Sequence, residues 1–160
     1  MEELLGNLPY VVLVLPFLMF FTIGLLGNQF FKNKPEVWGW IGTTGLAFVA
    51  CVSYYIACTY FFGDISSRDG YQQYVLFNHD WLRMTDSLVI SLGFMLDPIS
   101  AMMLVVISTV SLMVHIYSLG YMHGEEGFPR YYAVLSLFTF AMMGLVVATN
   151  IFQMYIFWEL

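Results

Sequence analysis

The run LLGNLPYVVLVLPFLMFFTIGLLGNQFF, residues 4–31, contains no charged side chain. A helix that crosses a bilayer needs about 20 consecutive, mainly apolar residues, and this run exceeds that length. The run therefore predicts a transmembrane helix over residues 8–31, with Pro9 near its start. Pro16 lies inside this helix and is a candidate kink, because proline removes a backbone hydrogen bond.

The composition of the whole chain indicates an integral membrane protein. Of its 160 residues, 60% are hydrophobic, 19% are aromatic and only 10% are charged. A soluble domain carries about a quarter charged residues, so this chain has too few charges to solvate a globule of its size. The net charge of −6 comes without a basic patch, which excludes nucleic acid as an expected partner.

A second uncharged run covers residues 37–63 and predicts a second transmembrane helix over residues 37–62. Gly39, Gly42 and Gly45 fall three apart along this helix. Such small residues let a neighbouring helix approach closely, so we expect them to form a packing face.

Three more helical segments are predicted from residue 97 onward. Asp97-Pro98 favours a helix start, because proline suits the first helical position and an acid there interacts favourably with the helix dipole. A tight turn at Thr149-Asn150 separates the last two segments. The last one is shorter than the roughly 20 residues that cross a bilayer. We therefore expect the sequence to be part of a longer protein, with a re-entrant C-terminus as the alternative. The three segments cover residues 97–121, 131–149 and 151–160.

The polar segment before residue 97 predicts an extramembrane β-hairpin over residues 74–96. Two strand-like stretches, residues 74–84 and 88–96, flank the turn Thr85-Asp86-Ser87. The predicted fold class is thus an all-α integral membrane protein. It has about four complete transmembrane helices and the start of a fifth, with a small hairpin between the second and third. Residues 1–160 form the N-terminal part of one polytopic membrane domain.

The short loops predict the orientation of the chain. Lys32 and Lys34 should face the cytoplasm or the equivalent negative side, which places the N-terminus and the hairpin on the outer, positive side. The loop before Arg130 then falls inside, whereas Arg68 and Arg83 in the outer loop weaken the asymmetry. A bacterial plasma membrane is expected, with an organelle inner membrane or a thylakoid membrane as alternatives.

Glu159 is the first candidate for a functional residue. It lies nine residues after Asn150, which places it roughly 13 Å along a helix and near the middle of a hydrocarbon core about 30 Å thick. A carboxylate at that depth marks an ion or proton path by default. With a movable basic partner it could take up and release a proton. No lysine or arginine of the sequence is placed at this depth, so we expect the partner outside it. The alternative is a neutral, hydrogen-bonded structural glutamate.

Two further residues are candidates for supporting roles. Tyr155 lies one turn before Glu159 on the same helix face and could orient its carboxyl group, although it could also simply pack. His115 lies 18 residues after Asp97, about 27 Å farther along the helix and near the opposite interface. Because histidine titrates near neutral pH, it is a candidate relay for protons. A solvated or packing role is the alternative for His115, and a helix-start role explains Asp97.

The remaining polar residues do not predict cofactor chemistry. His123, Glu125 and Glu126 resemble part of a metal-ligand pattern, but one histidine and two acids in a loop do not specify a metal. The sequence has no glycine-rich phosphate loop, no four-cysteine cluster and no nucleophile–base set. We expect neither a metal nor a cofactor in this chain.

Five ordered motifs carry a resemblance to a known family. They are Leu96-Asp97-Pro98-Ile99-Ser100, His115-Ile116-Tyr117-Ser118, Gly120-Tyr121-Met122, Arg130-Tyr131-Tyr132-Ala133 and Tyr155-Ile156-Phe157-Trp158-Glu159-Leu160. Together they resemble the N-terminal part of the antiporter-like subunit L, of mitochondrial chain 5 type, in proton-pumping NADH:quinone oxidoreductase, or complex I. The resemblance is strong over residues 96–160. The family is also similar to large subunits of multisubunit sodium/proton antiporters and of some membrane hydrogenases.

The resemblance implies a function and a set of partners. Family members have many more helices, hold no redox centre, and move protons through a central chain of charged residues. Glu159 corresponds to a glutamate that forms a switchable ion pair with a lysine on a later helix. Flavin, iron–sulfur clusters and quinone are expected elsewhere in the complex, and the partners are other membrane-arm subunits and the lipid bilayer. The chain would then be a non-redox subunit of a translocating enzyme. A sodium/proton antiporter component and a structural membrane module are the alternatives.

Overall fold

The computed structural model describes residues 2–27, 36–62, 73–85, 88–125 and 127–160. Within these ranges the chain forms five helices and one antiparallel pair of strands. In chain order the elements are α1 (Glu2–Leu26), α2 (Glu36–Phe62), β1 (Tyr74–Thr85), β2 (Leu88–Leu96), α3 (Pro98–Tyr121), α4 (Phe128–Val146) and α5 (Ile151–Glu159).

Four of the helices contain segments long and apolar enough to cross a membrane. The segments are Leu8–Leu26, Glu36–Phe62, Pro98–Tyr121 and Phe128–Val146. The predicted fold class is confirmed, including the hairpin between the second and third helices. The chain is therefore a multi-pass membrane protein.

Several helix boundaries differ from the predicted ones. Helix α1 begins at Glu2, because acidic residues are favourable at a helix N-terminus and do not stop it, although its membrane-spanning segment begins at Leu8 as predicted. It ends at Leu26, and residues 28–31 of the predicted helix lie outside the described residues. Helix α4 begins at Phe128 rather than at residue 131, because Pro129 supplies the backbone angle of a first helical turn. It also ends three residues earlier than predicted, at Val146.

The start of α3 and the hairpin were predicted correctly. The Asp97 side chain accepts a hydrogen bond from the Ser100 backbone nitrogen at 2.6 Å and so caps the helix. Strand β1 pairs with β2 from Tyr74 opposite Leu96 to Thr85 opposite Leu88. Of the predicted turn, residues 86 and 87 lie outside the described part of the chain.

Close helix contacts occur at the predicted glycine face of α2. A Cβ atom at Gly39 would lie 2.7 Å from Phe128 of α4, and one at Gly45 would lie 2.5 Å from Met19 of α1. One at Gly42 would lie 3.1 Å from Tyr132 of α4. The packing role predicted for these glycines is confirmed, because side chains of α1 and α4 occupy the space that larger residues would need.

Several residues of the sequence analysis lie outside the described residues. They are Lys32, Lys34, Arg68, Asp86 and Glu126. The orientation derived from the two lysines therefore stays a prediction.

Candidate functional site

Glu159 is the last residue of α5 and its side chain is exposed. The helix begins at a well-formed cap, where the Asn150 side chain accepts a hydrogen bond from the Gln153 nitrogen at 2.9 Å. Eight residues of helix then carry Glu159 about 12 Å from Ile151. Glu159 makes no hydrogen bond or ion pair with another described residue. Its distance along the helix agrees with the prediction. No polar side chain of the described residues bonds to its carboxyl group.

Helix α5 packs on α4 through Phe157, and the side of α5 that carries Glu159 is exposed. The Phe157 ring packs edge-on against Phe140, with 5.4 Å between ring centroids, and lies against Gly144. Tyr155 and Trp158, by contrast, are 63% and 72% exposed. Tyr155 stands one turn before Glu159, so the two lie close together on a surface that the described chain does not cover.

Gln153 holds the start of α5 to the hairpin, a role that the sequence analysis missed. Its side chain is 5% exposed and pairs with both backbone groups of Gly93, donating at 2.8 Å and accepting at 2.9 Å. The Asn150 side chain donates to the Ser91 carbonyl. Ser91 and Gly93 are alternate residues of β2, so their outward backbone groups lie on the strand edge that faces away from β1. The side-chain amides of Asn150 and Gln153 are the hydrogen-bond partners of these groups.

A local signal for this junction was present in the sequence. Asn150 and Gln153 have the spacing of a capping box, in which the second side chain returns to the first residue's backbone. Only half of that pattern forms, because the Gln153 side chain reaches Gly93 instead. A buried amide in an apolar run requires hydrogen-bond partners. Nothing in the local sequence, however, identifies Gly93, 60 residues away, as the partner of Gln153.

His115 is completely buried between helices, with 0% of its surface exposed. Its Nδ1 atom donates to the Ser111 carbonyl at 2.9 Å, since a carbonyl can only accept. The Tyr132 hydroxyl of α4 donates to the His115 carbonyl at 2.8 Å, and the two rings meet edge to face. Of the solvated or packing role considered as the alternative for His115, the structure shows packing, because α3 and α4 enclose the ring and leave none of its surface exposed.

The Nε2 atom of His115 has no hydrogen-bond partner among the described residues. A buried polar atom without a hydrogen-bond partner destabilises the fold by about 1–3 kcal/mol. The ring edge points toward α2, where a Cβ atom on Gly42 would lie 3.6 Å from the His115 Cδ2 atom. His115 thus combines a fixed ring with one open acceptor atom.

Buried polar side chains line the interface of α2, α3 and α4, and we call this set the polar seam. From Ser108 to Ser118 its residues fall three or four apart on α3, a helical period that the sequence analysis did not use, and Ser100 lies eight residues before Ser108. The members are Ser100, Ser108, Ser111, His115 and Ser118 of α3, Thr43 and Ser53 of α2, and Tyr132, Ser136 and Thr139 of α4.

The structure does not place Glu159 and His115 at one level of the fold. Helices α3 and α5 both begin at the hairpin end, where the Ser100 hydroxyl donates to the Val146 carbonyl at 2.9 Å. From there His115 lies about 25 Å along α3, whereas Glu159 lies about 12 Å along α5. The two predicted proton-path residues are therefore separate positions rather than one cluster.

The two other polar sites of the sequence analysis have structural roles. Asp97 caps α3, as predicted. His123 Nε2 lies 2.8 Å from Glu36 Oε1, and this exposed pair joins the α3–α4 loop to the start of α2.

The chain is similar in sequence to known membrane-enzyme subunits. Residues 81–132 match a family model described as NADH-ubiquinone oxidoreductase (complex I), chain 5 N-terminus. The chain is 32% identical over 158 residues to NAD(P)H-quinone oxidoreductase subunit 5 of the Mesostigma viride chloroplast, covering 99% of this chain and 23% of that protein. It is 35% identical over 150 residues to NADH-quinone oxidoreductase subunit L of Neisseria meningitidis serogroup A, covering 93% of this chain and 21% of that protein.

These findings define the class as a multi-pass membrane protein related to subunits of quinone-reducing complex I enzymes. Within that class, the resemblance to the subunit L and chain 5 family is confirmed, and the chain is a relative of its members over nearly its entire length. It spans about a fifth of the length of the curated relatives that it matches.

Proposed function

We propose that this protein translocates protons as a membrane-arm subunit of an NADH:quinone oxidoreductase of complex I type. The observation that carries the proposal is Glu159, an exposed carboxyl group about 12 Å along α5. We place it within the membrane, where a carboxylate costs free energy unless a charged or polar partner meets it. The names of the relatives support this function over that of a sodium/proton antiporter, because the Mesostigma and Neisseria proteins are both named as quinone oxidoreductase subunits.

In this proposal Glu159 binds and releases the proton. The approach of a basic side chain from outside the described residues stabilises its carboxylate, and the retreat of that side chain favours protonation. Tyr155, one turn earlier on the same exposed surface, orients the carboxyl group or a water beside it. His115 serves as a relay at the level where protons enter, about 13 Å from Glu159 in depth.

The proposal also assigns the redox chemistry to other subunits. Flavin, iron–sulfur clusters and quinone are bound elsewhere in the complex, and this chain is a non-redox part of the translocating enzyme. Its partners are the neighbouring membrane-arm subunits and the lipid bilayer. The hairpin and the N-terminus lie on the positive side, and a bacterial plasma membrane is the proposed location.

Replacing the carboxyl group tests the proposal. Glu159→Gln keeps the size and hydrogen-bonding capacity of the side chain but cannot carry a proton. In inverted membrane vesicles supplied with NADH and quinone, proton transfer through this site should slow by about a hundredfold, the contribution of a positioned acid–base group. Acidification and NADH oxidation are measured together, so that loss of assembly is distinguished from loss of pumping.

Trp158→Phe is the matched control, because Trp158 is 72% exposed beside Glu159 and has no group that titrates. It should pump like the unmodified protein. Normal NADH-driven pumping in Glu159→Gln would overturn the role of Glu159. Acidification that needs a sodium gradient and no NADH would instead support the antiporter function.

A further inference from the structure

The buried face of α3 is polar, whereas its exposed faces are apolar. Five of the seven residues that α3 buries are serines or histidine, from Ser100 to Ser118. Its outward side chains include Val106, Val110 and Met113, each more than half exposed. From Ser108 to Ser118 the helix rises about 15 Å, which is about half of the roughly 30 Å of a hydrocarbon core. Buried Ala101 and Leu104 separate this stretch from Ser100, so the continuous part of the polar seam covers about half of the membrane thickness.

Most hydroxyl groups of the polar seam have partners within the protein. Ser111 bonds to Thr139 across the α3–α4 interface, and Ser118 bonds to Tyr131 at 3.1 Å. The Ser108 hydroxyl returns to its own helix and donates to the Val105 carbonyl at 3.1 Å. Small hydroxyl residues that bond in this way are sufficiently explained by helix packing.

Two seam atoms do not fit that explanation. The Ser53 hydroxyl oxygen and the His115 Nε2 atom have no hydrogen-bond partner among the described residues, and both residues are 0% exposed. Because Nδ1 donates to the Ser111 carbonyl, the neutral ring carries its proton there and leaves Nε2 as an acceptor. An acceptor held in this way needs a donor, and buried water supplies such donors in protein interiors.

We propose that the polar seam binds ordered water at His115 Nε2 and, roughly 16 Å away along α2, at the Ser53 hydroxyl, and that protons exchange with His115 through the water at Nε2. The inference rests on the proposed translocation function but adds a route inside α2, α3 and α4, apart from the open side of α5. The hydroxyls of Ser111 and Thr139 continue the polar lining one turn from His115.

The proton step needs no further reactant. A hydronium ion at this water site transfers a proton to His115 Nε2: an N–H bond forms, one O–H bond breaks, and the products are an imidazolium and a neutral water. Return of a proton from Nε2 to the water at that site restores the neutral ring and the hydronium ion. The Nδ1–H bond to the Ser111 carbonyl stays in place throughout and keeps the ring fixed.

A high-resolution cryo-electron microscopy map of the native protein in its membrane assembly tests the water site directly. We expect density for water about 3 Å from His115 Nε2 and from the Ser53 hydroxyl oxygen. His115→Leu should remove the first water and Ser53→Ala the second. A dry seam, or a protein donor on Nε2, would overturn the proposal.

Pumping measurements test the proton exchange. His115→Gln can still bind water but cannot become an imidazolium, so proton transfer along this route should slow by about a hundredfold while the water stays bound. His79→Gln, in the exposed part of β1, is the matched control and should change nothing. Unchanged pumping in His115→Gln would overturn the exchange even if the water is present.

The two proposals fail in different ways. If Glu159→Gln stops pumping and His115→Gln does not, the seam route is wrong and the proposed function stands. If the water sites are occupied but neither variant affects NADH-driven acidification, the roles proposed for both Glu159 and His115 in proton transfer are wrong.

Discussion

The polar seam and helix α5 each carry a titratable side chain, but the surroundings of the two side chains differ. His115 is fully buried, and helices of this chain supply its partners on α3 and α4. Glu159 is exposed. Helix α5 is attached through its own Gln153, which bonds to the hairpin, and through its Phe157, which packs on α4.

This difference separates two kinds of functional residue. The environment of His115 is set by nearby helices, so its properties should survive changes elsewhere in the assembly. The described residues do not enclose Glu159, so its properties depend on what covers α5. Substitutions at the contacts that hold each region can break or sharpen this contrast.

The largest stability effect is expected at Gln153, because its replacement frees two backbone groups of Gly93. Gln153→Leu leaves that N–H and C=O buried without a partner, at a cost of about 3 kcal/mol. Equilibrium unfolding of the native protein in detergent should show this loss, and hydrogen exchange should rise in β2. Met154→Leu, at the exposed neighbouring position, should stay within about 0.5 kcal/mol. An equal effect from both variants would contradict the attachment of α5 through Gln153.

A second effect is expected at the α4–α5 contact. A Cβ atom at Gly144 would collide with the Phe157 ring, so Gly144→Ala should destabilise the protein by about 2 kcal/mol through overpacking. Adding Phe157→Leu should recover part of that loss, because the smaller side chain makes room. Thermal unfolding of the single and double variants measures the recovery.

Gly120→Ala is the matched control for that clash. Nothing lies within 4 Å of a Cβ atom built at Gly120, which is also helical. Alanine is favoured over glycine in a helix by about 1 kcal/mol, so this variant should be neutral or more stable. A loss at Gly120 as large as that at Gly144 would show that the α4–α5 contact is not the cause.

A smaller effect is expected inside the polar seam. Tyr132→Phe removes the hydroxyl that donates to the His115 carbonyl but keeps the ring, at a cost of about 1 kcal/mol. Because this bond lies within the seam, the unfolding midpoint should fall while hydrogen exchange in the hairpin stays unchanged. Increased exchange in β2 would show that the seam and the α5 junction are coupled rather than separate.

The sequence was most informative where a structural cause is local. The charge-free runs, the Asp97 cap and the glycine spacing of α2 can each be recognised within one segment of the sequence, and the structure contains all three. Helix α4 begins three residues before its predicted start, because Pro129 lies in its first turn.

The sequence was least informative where the partner is distant. Gln153 finds Gly93 across 60 residues, and no local pattern specifies that pairing. The burial of His115 likewise depends on α2 and α4 meeting α3, although the helical spacing of its serine neighbours was a usable signal. Glu159 was found from depth alone, and what surrounds it is still a prediction.

The smallest effect is expected at Asp97, where a carboxyl group has a purely local role. Asn caps a helix about as well as Asp, so Asp97→Asn should change the unfolding free energy by less than about 0.5 kcal/mol, whereas Asp97→Ala should cost about 1 kcal/mol. Proton pumping in Asp97→Asn should equal that of the unmodified protein, because the cap bond to the Ser100 nitrogen needs an oxygen and not a charge. Reduced pumping with unchanged stability would place Asp97 beside Glu159 as a proton-handling group, and it would extend the proton path to the hairpin end of α3.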